Sequence, residues 1–211
     1  TSANIACGFH AGDPGTMAKT MALAVENGVG IGAHPGFPDL HGIGRRRMQM
    51  PKDELQNAIR YQLGAAQAMA RVAGGGVRHL KLHGALANMA SEDVPLAPTC
   101  YEAALDVAPD VTIMVLAATP MEQAVRALGC AWVGEIFADR AYNDDATLVD
   151  RSLPGAVIHD ARHASDRIVA MVKAGAIIAE SGAQIPARID TICLHGDTPE
   201  AVDIARSVRA G

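Results

Sequence analysis

Four apolar, strand-like runs in this sequence each end on a histidine that is followed at once by alanine, proline or glycine. These histidines are His10, His34, His83 and His195. Helix-like segments separate the runs, which predicts parallel strands, because a parallel pair needs a long crossover connection. Parallel strands end at one rim of a sheet, where α/β proteins bind ligands and catalyse reactions. The pattern therefore predicts an α/β enzyme with its site at that rim.

Short apolar segments and amphipathic segments alternate along the rest of the chain. The predicted strands cover residues 3–7, 29–33, 77–82, 111–116, 132–137 and 191–194. The predicted helices cover residues 14–27, 51–72, 94–107, 120–128, 161–173 and 199–209. Only the polar stretch 139–158 interrupts the repeat, and a loop of that length is usually functional or mobile. We expect one α/β domain of the (β/α)-barrel type over residues 1–211.

The composition excludes several classes of function. The formal net charge is −5 and the longest basic cluster is the three arginines at 45–47, so neither nucleic acid nor a membrane is expected as a partner. Aromatic residues make up 3%, too few for a base-stacking platform. The cysteines are far apart and form no Cys-x-x-Cys pair, which favours reduced thiols in a cytoplasmic protein.

The third of the four runs carries the sharpest candidate site. Strand alternation places Lys81 and His83 on the same face, directed towards the interior. A lysine directed into a core is unfavourable unless it is paired or has a chemical role. His10 lies in a turn between small residues, where core packing explains it poorly. We therefore predict that these three residues are catalytic.

Other residues allow two interpretations. Asp13 either caps the next helix or takes part in catalysis. The arginines at 45–47 are either solvated or bind a carboxylate or phosphate. Asp139 and Arg140 form either a local ion pair or part of a substrate site. Asp197 either orients His195 or helps to cap the last helix.

Together the rim elements resemble the LamB/YcsF lactam-utilisation family. The matching stretches are residues 2–13, 32–36, 81–88, 137–142 and 195–197, in the family's order. The resemblance implies a seven-fold (β/α) barrel of the glycoside hydrolase/deacetylase kind. The family opens with a strand carrying an Asp-Leu-Asn motif, and this sequence begins after it. We therefore expect the barrel to lack its first strand here.

The resemblance also implies an activity, that of the A subunit of 5-oxoprolinase. Together with subunits B and C, such a protein opens 5-oxoproline to L-glutamate by hydrolysis. ATP, expected with Mg²⁺, phosphorylates the lactam oxygen before water attacks. Residues expected to bind the substrate are Asn4, His34, Asn88, Glu135, Asp139, Arg140, Tyr142, His195 and Asp197.

Two rival functions remain open at this stage. One is a metal-dependent deacetylase on the same barrel, with His10, His34 or His83 as ligands together with Asp13. The other is an inactive, truncated subunit that only binds partners, and a homo-oligomer is an open possibility. We predict no tightly bound metal. The segment 12–20 has the wrong spacing for a phosphate-binding loop, so the sequence does not locate ATP.

Overall fold

The computed structural model describes residues 1–93, 95–196 and 198–211, which form an alternating series of strands and helices. In chain order the elements are β1 (Ser2–Ala6), α1 (Pro14–Glu26), β2 (Gly30–His34), α2 (Lys52–Val72), β3 (Val77–Lys81), α3 (Gly84–Glu92), α4 (Leu96–Val107), β4 (Thr112–Leu116), α5 (Pro120–Leu128), β5 (Trp132–Phe137), α6 (Ala161–Ala174), β6 (Ala176–Ile178), β7 (Gln184–Pro186), β8 (Thr191–Cys193) and α7 (Ala201–Ala210). This is the α/β class with the strand–helix repeat of a (β/α) barrel, as predicted. None of the described helices is both long and apolar enough to span a membrane.

The chain divides into two compact units. The first unit comprises residues 1–115 and 123–132, and the second unit comprises residues 116–122 and 133–211. The single domain expected from the sequence stays a prediction.

The first unit is built on parallel strands that are buried on both faces. β1 pairs with β2, β2 with β3 and β3 with β4, all in parallel. Ile31, Leu80 and Ile113 are at most 2% exposed, as expected for strands covered by helices. Among the helices, α2 packs against α1 and α4. Since each strand leads into a helix or loop at the same end, the residues that follow β1, β2 and β3 are neighbours.

In the second unit, β5 pairs in parallel with β8, so that Phe137 lies opposite Cys193. β6 and β7 form a separate antiparallel hairpin, and α6 packs against α7. The α6 helix begins where Asp160 accepts a hydrogen bond from the His163 amide, and it ends at Gly175. Gly175 has φ +60°, a left-handed conformation that glycine adopts without a steric penalty.

Several elements differ from the prediction. The helix expected over 94–107 begins at Leu96 as α4, and Val94 lies outside the described residues. The helix expected from residue 199 begins at Ala201, with Glu200 rather than Thr198 as its N-cap, and Asp197 lies outside the described residues. The short helix α3 and the strands β6 and β7 were not predicted. The α3 helix has no side-chain cap, so no start signal marks it in the sequence.

Stretch 139–158 is irregular, as expected, but it has a small core of its own. Ala141, Val149 and Ala156 are buried together within it. Two isolated antiparallel bridges join Arg140 to Val157 and Tyr142 to Leu148. The stretch is therefore a packed loop with fixed cross-connections.

Candidate active-site residues

Three of the four signature histidines meet in the first unit, and we call them the histidine cluster: His10, His34 and His83. The rings of His10 and His83 are stacked, with centroids 3.7 Å apart and planes 4° apart. The His34 ring lies edge-on to both, at 4.8 Å from His83 and 5.9 Å from His10. The expectation that strand-end histidines come together is therefore confirmed for these three. The fourth, His195, belongs to the second unit.

Glycines in the loop after β2 make room for the stacked rings. A Cβ atom on Gly44 would lie 2.7 Å from His10 Cβ and 2.8 Å from His83 Cδ2. A Cβ atom on Gly36 would lie 2.9 Å from His10 Nδ1. Because such approaches are closer than carbon atoms tolerate, the backbone of this loop packs directly on the imidazoles.

Hydrogen bonds to backbone carbonyls fix the orientation of the cluster. His34 Nδ1 lies 2.8 Å from the Lys81 carbonyl oxygen, and His83 Nδ1 lies 3.0 Å from His34 Nε2. His83 Nε2 lies 2.9 Å from the Ile43 carbonyl oxygen. Ile43 has φ +54°, which is strained for a β-branched residue and aims this carbonyl at the ring.

Burial holds two of these rings neutral. The pKa of His10 falls to about 3, because burial disfavours the charged ring and because His83 lies beside it. The pKa of His34 lies well below its usual value, through burial first and then the charge of Lys81. Among the described residues His10 Nδ1 has no hydrogen-bond partner, although His10 is only 2% exposed.

A second polar group lies outside the cluster, on residues that are paired across the strands β1, β2 and β3. Asn4 lies opposite Gly32, which lies opposite His79. The His79 ring lies over Gly32, where any Cβ would overlap it, and its Nε2 is 2.8 Å from Asn4 Oδ1. Burial, followed by the charge of Lys81, lowers the pKa of His79 to about 4. The structure thus engages Asn4, predicted to bind substrate, with a histidine.

Sequence reasoning assigned no role to His79. The strand alternation that predicted an inward-directed Lys81 could have identified His79 too, since the two residues share one strand face. Lys81 is 7% exposed on β3, as the inward-directed prediction requires. Asn88 lies on α3, the helix that has His83 as its N-cap, and is partly exposed.

In the second unit, the fourth signature histidine forms a dyad with a carboxylate. His195 Nδ1 lies 2.8 and 3.1 Å from the two oxygens of Asp139, and the His195 amide donates to the same carboxylate at 3.3 Å. The His195 ring also stacks on Phe137 at 5.4 Å. Asp139 is therefore the described carboxylate that orients His195, whereas Asp197 lies outside the described residues.

The carboxylate of this dyad stays ionised although it is buried. Asp139 is 4% exposed, and burial by itself would raise the pKa of its carboxyl. The hydrogen bonds and charge of His195 outweigh burial, so that the pKa of Asp139 lies below its usual value. The His195 side chain keeps 28% exposure. The dyad thus combines a buried anion with an accessible imidazole.

Three more predicted substrate-binding residues are buried in the second unit. Arg140 donates to the carbonyl oxygens of Ala156 at 3.2 Å and Val149 at 2.6 Å, so it fastens the loop 139–158. The Tyr142 hydroxyl accepts the Phe137 amide at 2.7 Å. Glu135 lies on β5 and is 2% exposed. Their predicted contacts with substrate stay predictions.

Asp13 is a helix cap. Its Oδ1 accepts the Thr16 amide at 2.9 Å and its Oδ2 accepts the Thr16 hydroxyl at 2.6 Å. Both carboxylate oxygens of Asp13 are thus bonded to Thr16, and its part in a set of metal ligands with the histidines stays a hypothesis. Across residues 1–93, 95–196 and 198–211, no three His, Cys, Asp or Glu side chains are grouped to hold a metal ion.

The arginine cluster at 45–47 pairs with the protein's own carboxylates. Arg46 binds Asp39, which lowers the pKa of that carboxyl to about 2. Arg47 binds Glu92 at 2.6 Å. The structure therefore gives two of these arginines a role in fastening the loop.

The model of the LamB/YcsF family matches residues 1–211 of this chain. The chain is 72% identical over 210 residues to the 5-oxoprolinase A subunit of Ruegeria pomeroyi, covering 100% of this chain and 83% of that protein. It is 53% identical to the 5-oxoprolinase A subunit of Rhodopseudomonas palustris, covering 99% of this chain and 83% of that protein. The crystal structure of a lactam utilization protein from Thermus thermophilus superposes with a TM-score of 0.90 at 40% identity, covering 99% of this chain and 83% of the other. This protein belongs to the LamB/YcsF family.

Proposed function

We propose that this chain is the A subunit of a 5-oxoprolinase, which opens 5-oxoproline to L-glutamate with ATP and with subunits B and C. The family membership and the names of its close relatives support the activity. The observation that carries it is the Asp139–His195 dyad, because hydrolysis of a lactam needs a base that can take a proton from water.

The substrate sets the chemical demands on the protein. A five-membered lactam is a stable amide, so water adds to its carbonyl carbon only with assistance. The water must lose a proton, the carbon–nitrogen bond must break, and the nitrogen must gain a proton. The phosphoryl group that ATP would supply when bound makes the lactam carbon more electrophilic. After water has added and the carbon–nitrogen bond has broken, a second water releases that group as inorganic phosphate.

In this proposal the dyad is the general base. His195 Nδ1–H donates a hydrogen bond to Asp139, which leaves the lone pair on Nε2. Positive charge that develops on the ring is stabilised by the buried, ionised carboxylate. The 28% exposure of the His195 side chain gives water access to the ring. Nε2 then returns the proton to the leaving nitrogen.

The first unit carries a separate group of candidate residues. Lys81 lies at the end of β3 and His83 follows at the start of α3. Cationic groups held in a buried setting stabilise a developing oxyanion or a bound carboxylate more strongly than they do in water. We assign Lys81 and His83 this role, with His10 as the neutral ring that packs on His83.

The loop before α1 does not fit ATP. The Thr16 amide, in the first turn of α1, already binds Asp13, and the carboxylate places negative charge where a phosphate would lie. We therefore propose that ATP and Mg²⁺ bind elsewhere in the assembled three-subunit complex.

The proposal is tested in the reconstituted complex by measuring glutamate release with and without ATP. His83→Ala and Lys81→Ala are each expected to lower glutamate release by at least about 100-fold. The exposed His41 provides a matched control, and His41→Gln should leave the rate unchanged. Release of glutamate without ATP, or full activity in both alanine variants, would contradict the proposal.

The same purified protein distinguishes the 5-oxoprolinase proposal from the alternative of a metal-dependent deacetylase. That interpretation predicts a stoichiometric metal in the purified protein and activity on acetylated sugars. We expect neither, since Asp13 is engaged by Thr16.

A further inference from the structure

His34 and His83 form a continuous hydrogen-bonded chain with a carbonyl oxygen at each end. The chain runs from the Lys81 oxygen to His34 Nδ1 at 2.8 Å and from His34 Nε2 to His83 Nδ1 at 3.0 Å. It continues from His83 Nε2 to the Ile43 oxygen at 2.9 Å. All three separations are ordinary hydrogen-bond lengths.

The number of protons in this chain follows from its ends. A carbonyl oxygen only accepts, so His34 Nδ1 and His83 Nε2 must each carry a proton. The contact between the two rings needs a third proton, because two lone pairs would otherwise face each other at 3.0 Å. Two neutral imidazoles carry only two protons between them. Every neutral arrangement therefore leaves one of the three contacts without a proton.

We propose that His34 and His83 together hold three ring protons at neutral pH, so that the pair is a monocation whose third proton joins His34 Nε2 to His83 Nδ1. His34 then accepts from His83 and acts through it as a positioning residue. An isolated imidazole is already roughly a quarter protonated at pH 7, so a modest stabilisation is enough to fill the site.

The charge resides on His83 rather than on His34. His34 and His83 are both partly exposed, but burial and the charge of Lys81 hold the pKa of His34 well below its usual value. The positive charge is bounded on one face by the neutral ring of His10 at 3.7 Å.

Several titratable groups lie on the elements that surround the pair. In the first unit these are His10 and Cys7 on the loop after β1, Asp39, Arg45 and Arg46 on the loop after β2, and Lys81 on β3. Burial, followed by the charge of Lys81, disfavours a positive charge on the His34 ring. Two carbonyl dipoles favour the charge of the pair, and that of Ile43 is held in place by a strained backbone and by the close packing of Gly44.

The protonation state of the pair stands without the proposed function, but its consequence for catalysis rests on that function. A preformed cation on His83 would be ready to bind an anionic oxygen of the substrate. Such a charge needs no proton uptake during the reaction.

The test is ¹⁵N NMR of the purified chain labelled at histidine, at neutral pH. We expect three protonated ring nitrogens and one lone-pair nitrogen for the pair, assigned with His34→Gln and His83→Gln. The exposed His41 provides reference signals outside the pair, which His41→Gln identifies. Two lone-pair nitrogens in the pair at neutral pH would overturn the proposal, and the wild-type spectrum alone decides this.

Two substitutions of His34 distinguish its role as a hydrogen-bond acceptor for His83 from a role in packing alone. His34→Leu removes the acceptor, and His83 should lose its Nδ1 proton and become a neutral ring bonded to Ile43. His34→Gln retains an acceptor oxygen and should keep His83 doubly protonated. An identical His83 spectrum in both variants would contradict the role of His34.

Activity gives a separate readout in the reconstituted complex. At pH 8, His34→Leu should lower kcat/KM by about tenfold more than it does at pH 6, while His34→Gln restores the wild-type pH profile. If wild type releases no glutamate, the proposed function fails and the NMR result still stands. A pH profile unchanged by His34→Leu would contradict the role of the cation in catalysis.

Discussion

The two units carry the same sequence signature and use it differently. In the first unit, His34 and His83 bind each other and backbone carbonyl oxygens. In the second unit, His195 binds the carboxylate of Asp139. A histidine followed by glycine at a strand end therefore does not specify a chemical role. The role depends on which groups bind the nitrogen atoms of the ring.

The difference has a physical origin in charge. A carboxylate beside an imidazole stabilises its protonated form and fixes its tautomer, which suits a base that gains a proton during reaction. Carbonyl oxygens carry only partial charge, so rings held by them are governed by burial and by one another. Each of the following experiments changes one side of this comparison.

The largest expected effect follows from the substitution Asp139→Asn. The amide keeps the shape of the side chain but removes the charge and no longer selects the His195 tautomer. We expect glutamate release by the reconstituted complex to fall on the order of 10³–10⁴-fold, as when the carboxylate of a serine protease triad becomes an amide. The exposed Asp166 provides the control, and Asp166→Asn should be neutral. A rate within tenfold of wild type would show that His195 is not the base.

Gly44→Ala tests whether the histidine cluster depends on close packing. Gly44 has φ +63°, and the new Cβ would lie 2.7 Å from His10 and 2.8 Å from His83. Backbone strain and overpacking together should lower the free energy of unfolding by about 2–5 kcal/mol in chemical denaturation. The control is Gly28→Ala, with φ +65° and open space around the Cβ, which should lose only about 1–2 kcal/mol. Equal losses would mean that the rings do not constrain Gly44.

Acid stability should distinguish the two units. The pKa of His10 is about 3 in the folded protein and 6.5 without burial, so the unfolded chain binds the proton first. The stability from its neutral ring is complete above pH 6.5 and is lost as the pH falls towards 3. The loss is up to about 1.4 kcal/mol per pH unit, measured by denaturant unfolding.

Replacing His10 with phenylalanine keeps a ring against His83 and removes this titration. His10→Phe should therefore lose less stability than wild type between pH 6.5 and 5, whereas Asp139 in the second unit contributes only below that interval. The exposed His163 is the control, because His163→Gln should leave the slope unchanged. An unchanged slope in His10→Phe would contradict the neutral state of His10.

The smallest effect compares two buried tyrosines, one in each unit. The Tyr142 hydroxyl accepts the Phe137 amide, so Tyr142→Phe leaves a buried donor unsatisfied and should destabilise by about 1–3 kcal/mol. The Tyr101 hydroxyl is buried without a partner among the described residues, and Tyr101→Phe should be neutral or stabilising by up to about 1 kcal/mol. Thermal unfolding of both variants measures this. Equal changes would contradict the difference in bonding.

The regular part of the fold follows from local pattern. Apolar runs of five or six residues, such as Thr112–Leu116 and Trp132–Phe137, are strands in the structure as predicted. The α3 helix begins with Gly84 and has no side-chain cap, so no start signal marked it. Its position is set by the Gly44 carbonyl, which accepts the Ala85 amide from a distant loop.

The residues of the candidate site were easier to predict than their partners. All three members of the histidine cluster follow predicted strands, so their proximity could be derived from strand direction. Asp139 and His195 are 56 residues apart, and nothing near His195 in the sequence indicates that pairing. The strained carbonyl of Ile43 could not be predicted either, because a left-handed isoleucine is unfavourable by local preference.

The amino-acid sequence alone determined the strand–helix alternation, the placement of four histidines at strand ends and the family, because periodicity and motif order are local properties. The tertiary structure alone decided that His83 is bonded to His34 and Ile43, and that His195 is bonded to Asp139. Hydrogen-bond partners and burial depend on which distant segments pack against a ring. Since these set the protonation of an imidazole, the chemistry of each site is a property of the folded chain.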